Sequence, residues 1–120
     1  MARKISPQLV LAALVVLGFA LAQPAAAEQT QFIRLKAHMF TFAPDEIVVK
    51  KGVPVTLELM SIDRIHGFNL PDFHIRTTIE PWVSTTISFT PDKVGRFIFA
   101  CDHFCGDGHD DMSGVIVVVD

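Results

Sequence analysis

The stretch CDHFCGDGHDDM, residues 101–112, holds both cysteines of a 120-residue chain. His109 follows Cys105 by four positions, and Met112 follows His109 by three. Two cysteines alone favour a disulfide in an exported protein, and these two have no other intramolecular partner. A histidine and a methionine at loop spacing add two more soft donors, which a disulfide does not require. Thiolate, imidazole and thioether together favour copper over the hard cations, which take oxygen ligands. Zinc accepts cysteine and histidine, but methionine is not among its usual ligands. Iron–sulfur clusters normally need four cysteines, or two with two histidines, and the chain has no Cys-rich spacing for them.

Working outward, the N-terminus indicates the compartment. Arg3 and Lys4 precede the apolar run LVLAALVVLGFALA at residues 9–22. Its fourteen residues are fewer than the roughly 20 needed to span a bilayer. A basic start, an apolar core and small residues at A-x-A sites describe a secretory signal peptide. The expected division is a signal at 1–27, cleaved after Ala22 or Ala27, and one domain at 28–120. The protein is then periplasmic or secreted, with no stable membrane span in its mature form.

Charge follows from the same division. The chain has ten Lys+Arg and thirteen Asp+Glu, all the acids lying from Glu28 onward. Without Arg3 and Lys4 the net charge is −5 with histidines neutral. Such a domain is a poor nucleic-acid binder, because the phosphate backbone dominates that affinity. A basic protein or a cation suits it better. Neither a Ser/His/Asp pattern nor paired carboxylates at recognisable spacing suggests a hydrolase.

Beyond the signal the hydrophobic period is two. Ile33, Leu35 and Ala37 alternate with Arg34, Lys36 and His38; Val53, Val55, Leu57 and Leu59 alternate with Pro54, Thr56, Glu58 and Met60. Val83, Thr85, Ile87 and Phe89 form a third such series. These patterns predict half-buried strands. The closing run GVIVVV, residues 114–119, reads as a strand covered on both sides. Turn signals at Pro44-Asp45, Lys51-Gly52, Pro71-Asp72, Pro91-Asp92 and Gly95 separate the segments. About seven short strands without a helical stretch predict an all-β antiparallel sandwich. The 101–112 stretch becomes a loop between its last two strands, a supported platform for a site.

A further donor is expected upstream. Of five histidines, His66 in DRIHGFNLP (63–71) stands at a strand end that can reach the loop. His38 and His74 read as surface residues. His103 stays open, since its imidazole or its backbone carbonyl can face a metal.

The spacing of Cys101, Cys105, His109 and Met112, with His66 in a D-x-x-H-x-F context, resembles that of the cupredoxins. Within them it is similar to the binuclear CuA domains of cytochrome c oxidase subunit II and nitrous-oxide reductase. The likeness spans about residues 32–119 and implies a Greek-key β-sandwich. It also implies two copper ions bridged by Cys101 and Cys105, with His66 on one and His109 on the other. Met112 and the carbonyl of His103 would be weak axial ligands, and Phe68, Phe99 and Phe104 would form an apolar shell. Two departures stand out: His103 replaces the usual Glu of the inter-cysteine segment, and Pro81-Trp82-Val83 replaces a Pro-Gly-Arg. The oxidase subunit's helical hairpin has no counterpart after the signal.

The resemblance therefore implies an exported, non-enzymatic electron carrier that exchanges single electrons with a partner such as a c-type cytochrome. Two alternatives remain. One is a periplasmic copper storage or delivery protein with a copper donor or acceptor as partner. The other is a mononuclear blue-copper-type protein using His66, Cys105, His109 and Met112, with one copper and Cys101 surplus.

Overall fold

The computed structural model describes residues 29–120, together with residues 2, 18 and 20–23. Most of the expected signal peptide, including the Ala27 cleavage site, lies outside the described residues. Among the described residues no helix is long and apolar enough to cross a membrane.

Among the described residues, nine strands form two sheets: β1 (Gln31–His38), β2 (Thr41–Ala43), β3 (Glu46–Lys50), β4 (Val55–Ser61), β5 (His66–Leu70), β6 (Ile75–Ile79), β7 (Thr85–Phe89), β8 (Gly95–Ala100) and β9 (Ser113–Val119). The first sheet runs β2-β1-β4-β7 and the second β3-β9-β8-β5-β6. The all-β sandwich expected from the period of two is present, but it is not wholly antiparallel. β1 pairs with β4, and β3 with β9, in parallel. The cause is a change of sheet: the chain leaves the first sheet after β2, lays β3 into the second, and returns as β4 beside β1. Parallel neighbours need such a crossover, and side-chain alternation is the same in both pairings.

Three strand expectations need correction, the first at Val53, which is buried but lies in the turn before β4. Val83 is exposed and precedes β7 rather than opening it. β9 is not covered on both sides: Ile116 and Val118 are buried, while Val115 and Val117 are only partly covered and Val119 is exposed. A β-branched run favours a strand whether or not both faces are buried. Gly52, at the turn from β3 to β4, has φ 78°, a left-handed conformation that suits glycine.

The core lies between the sheets around three rings. Phe99 packs edge-on against Phe42 and tilted against Phe68, with centroids 5.1 Å apart in each case. Leu35, Leu57, Leu59, Ile79 and Ile116 enclose them. Cys101, Cys105 and Met112 belong to the same buried cluster. The loop is thus an extension of the core and not a surface appendage.

β9 begins against this cluster through Gly114. A Cβ there would lie 2.7 Å from Phe99 Cε2 and 2.6 Å from the Asp45 carbonyl oxygen. Neither the packed ring nor the main chain has room to yield. Gly114→Ala is predicted to destabilise the domain by about 1–3 kcal/mol. Denaturant titration of the two forms measures it, and unchanged stability would contradict this packing.

Candidate metal centre

The loop between β8 and β9 is tied at its base. The Cys101 N–H donates to the Met112 carbonyl at 3.0 Å, one step beyond the Ala100–Ser113 rung of the ladder. The first and last donors are thereby held side by side. Within the loop, the His109 N–H donates to the Gly106 carbonyl (3.1 Å) and the Met112 N–H to the His109 carbonyl (3.1 Å). Residues 109–111 form one 3-10 turn, in which side chains three apart eclipse. His109 and Met112 therefore face the same way, toward Cys105. Its Sγ lies 3.5 Å from His109 Nδ1 and 3.8 Å from Met112 Sδ.

Cys101 Sγ and Cys105 Sγ are 3.7 Å apart, both buried and both free thiols. A disulfide bond would require about 2.05 Å. Burial, followed by the neighbouring Cys101, pushes the Cys105 thiol up to about 11. At neutral pH the thiol is then protonated, so a metal that takes the thiolate must release a proton. Cys101 Sγ also lies 3.2 Å from the His103 carbonyl oxygen.

His66 opens β5 and is fully buried. Its Nε2 lies 2.7 Å from Asp63 Oδ1. Burial raises the Asp63 carboxyl, but hydrogen bonds from the Met39 N–H, His66 and the Arg64 N–H outweigh it. They hold the group below the usual carboxylate range. An ionised Asp63 fixes the imidazole proton on Nε2 and leaves Nδ1 with a lone pair. Nδ1 is buried with no hydrogen-bond partner. Such a group calls for an explanation, and a metal supplies one. His66, Cys101 and Cys105 offer ligand atoms all within 4.8 Å of one another, with His109 outside that trio on the Cys105 side.

The approach of β5 to the loop depends on Gly67. β5 and β8 share one ladder rung, Asn69–Ala100, and the Gly67 N–H turns instead to Cys101 Sγ at 3.3 Å. A Cβ on residue 67 would lie 2.7 Å from the His103 nitrogen and 2.9 Å from the Asp102 nitrogen. From the other side, the Phe40 ring packs on Gly106 and Gly108, where a Cβ would lie within 2.9 Å of it. Arg64 Nη1 donates to the Cys105 carbonyl at 2.6 Å.

Of the six residues singled out in the sequence, His66, Cys101, Cys105, His109 and Met112 direct donor atoms into one pocket. His103 contributes its carbonyl side, while its side chain is exposed. Phe68 and Phe99 are buried beside the sulfurs, but Phe104 is not part of an apolar shell: it is 75% exposed and lies over His109, centroids 5.6 Å apart. His74 is exposed, as expected; His38 is partly buried. Asp63, Arg64, Gly67 and Phe40 were not singled out as supports. The Asp-x-x-His spacing and the glycine after His66 were the available signals for two of them.

The donor set fits a soft metal. Asp63→Asn is predicted to weaken metal binding about 10–100-fold, because His66 loses its charged acceptor. Competition with a Cu(I) chelator reads this, and equal affinity in both forms would remove Asp63 from the site.

A family model described as a cupredoxin-like domain matches residues 10–118. Cytochrome c oxidase subunit 2 of Thermus thermophilus is 33% identical over 82 residues, covering 68% of this chain and 61% of that protein. Nitrous-oxide reductase of Ralstonia nicotianae is 32% identical over 90 residues, 72% of this chain and 14% of the reductase. The chain thus spans less than two thirds of either relative. Among solved structures, a heme-copper terminal oxidase dimer superposes with TM-score 0.68 at 26% identity, covering 74% of this chain and 65% of that one. The periplasmic domain of oxidase subunit II from Bradyrhizobium japonicum gives TM-score 0.69 at 21% identity over 80% of this chain and 87% of that one, a likeness of fold. The chain belongs to the cupredoxin-like domain family.

Proposed function

We propose that this chain, exported by a signal at residues 1–27 and folded as a cupredoxin domain over 28–120, holds a two-copper centre and carries single electrons in the periplasm. The observation that carries the reading is the unpartnered, buried Nδ1 of His66 facing two free thiols. The thiolates of Cys101 and Cys105, with His66 Nδ1 and His109 Nδ1, would hold the two coppers. Met112 Sδ and the His103 carbonyl would be weaker donors to them. Copper held by these soft donors would supply a centre that gains and loses one electron.

The protein's part is to hold that geometry fixed. Asp63 orients His66, the Cys101–Met112 hydrogen bond closes the loop, and the Gly67 N–H donates to one bridging sulfur. Phe68 and Phe99 are fully buried in the same core cluster as the two sulfurs. A net charge of −5 for the mature chain favours a basic electron-transfer partner, whose association salt would screen. Similar stretches occur in proteins named cytochrome c oxidase subunit 2 and nitrous-oxide reductase, which supports the reading.

A one-copper site is the second reading, because Cys105 alone contacts both His109 and Met112. The two differ in stoichiometry and spectrum. The copper-loaded chain is predicted to bind two coppers and to give the seven-line hyperfine pattern of one electron shared by two nuclei. Cys101→Ser should abolish that pattern and leave one copper on Cys105. One copper per chain with a four-line signal in the native protein would replace the two-copper reading with the mononuclear one.

A further inference from the structure

Asp102, His103 and Phe104, the residues between the cysteines, are exposed, and no backbone–backbone hydrogen bond among the described residues involves them. The His103 carbonyl oxygen nevertheless lies 3.2 Å from Cys101 Sγ. A segment so weakly tied through its main chain needs another restraint, and side chains supply it.

Asp102 reaches past β5 to β6, the edge strand of the second sheet. Its Oδ2 accepts from Arg76 Nε at 2.7 Å. Arg76 Nη1 donates to Thr78 Oγ1 at 3.3 Å, so the guanidinium is itself held from two directions. Strand register explains the reach. Arg76 pairs with Asn69 and Thr78 with Gly67, which puts residues 67, 69, 76 and 78 on one face of the β5–β6 pair. Gly67 leaves a gap on that face, and Asp102 Oδ1 occupies the place a Cβ would take.

The ion pair is a weak source of stability. The Arg76 side chain is 49% exposed and that of Asp102 27%, and pairs screened by solvent contribute little. What the pair fixes is position, because it ties the inter-cysteine segment to the strand pair that begins with His66.

We infer that Arg76 is a positioning residue for the metal centre: through Asp102 it holds the His103 carbonyl beside Cys101 and thereby sets the reduction potential. The inference rests on the copper reading above. A carbonyl oxygen is a hard donor and favours oxidised over reduced copper, so releasing it raises the potential. Removing a positive charge lowers the potential, because a nearby cation favours the form with one more electron. The sign of the shift therefore separates position from charge.

The test compares the native chain with Arg76→Met and Asp102→Asn. In the metal-free chains, NMR relaxation reads the backbone order of His103 and Phe104. Order parameters of about 0.85 in the native chain should fall below about 0.6 in Arg76→Met. The unfolding midpoint should move by less than about 4 °C. Asp102→Asn keeps an oxygen acceptor for Arg76 Nε and should retain most of the order. In the copper-loaded chains, Arg76→Met should keep the native copper stoichiometry and raise the reduction potential. Unchanged backbone order in Arg76→Met, or a lowered potential, overturns the positioning role while the copper reading stands. A native chain that takes up no copper overturns the copper reading and this inference with it.

Discussion

The hydrogen bond from the Cys101 amide to the Met112 carbonyl is the constraint on which the site depends. It continues the β8–β9 ladder past Ser113 and makes a loop of twelve residues behave as a closed structure. Without it the two ends would separate, and the 3-10 turn would have no fixed relation to the sulfurs. With it, one hairpin supplies two thiols, an imidazole and a thioether around Cys105. Ordering so many polar and polarisable groups inside a protein costs conformational entropy, which the surrounding β-sandwich offsets through Phe42, Phe68 and Phe99. The donors are therefore preorganised by the same packing that stabilises the fold.

His66 approaches from another strand and needs its own support. Asp63 provides it with one carboxylate that serves four donors: the imidazole, the Met39 amide, the Arg64 amide and the Ser61 hydroxyl. Met39 precedes Phe40, whose ring underlies Gly106 and Gly108, and Arg64 reaches the Cys105 carbonyl. Asp63 thus couples the upstream histidine to the loop by two routes. A change at this carboxylate disturbs imidazole orientation and loop seating together.

Much of this was legible in the sequence, for identifiable reasons. The intervals between Cys101, Cys105, His109 and Met112 are local, so turn geometry alone converts them into a cluster. His66 was legible through its strand-end position. Strand direction was not, because β1 and β4 alternate identically in parallel or antiparallel pairing. The outward face of β9 was hidden by its valines, which suit a strand on either kind of surface. The resemblance implied Phe104 as part of an apolar shell; its position at the tip of the loop, between buried Cys101 and Cys105, turns it to solvent. The part played by Asp63 emerges only when the turns at Met39 and Arg64 are folded around it.

The central claim is that the lone pair of His66 Nδ1 and the two sulfurs are ligands of one buried copper centre. Anomalous diffraction at the copper edge, on crystals of the copper-loaded chain, tests it most directly. The account predicts two copper peaks between the sulfurs, one within bonding reach of His66 Nδ1 and the other of His109 Nδ1. Copper bound at the exposed His103 imidazole, with His66 Nδ1 left unligated, would contradict it.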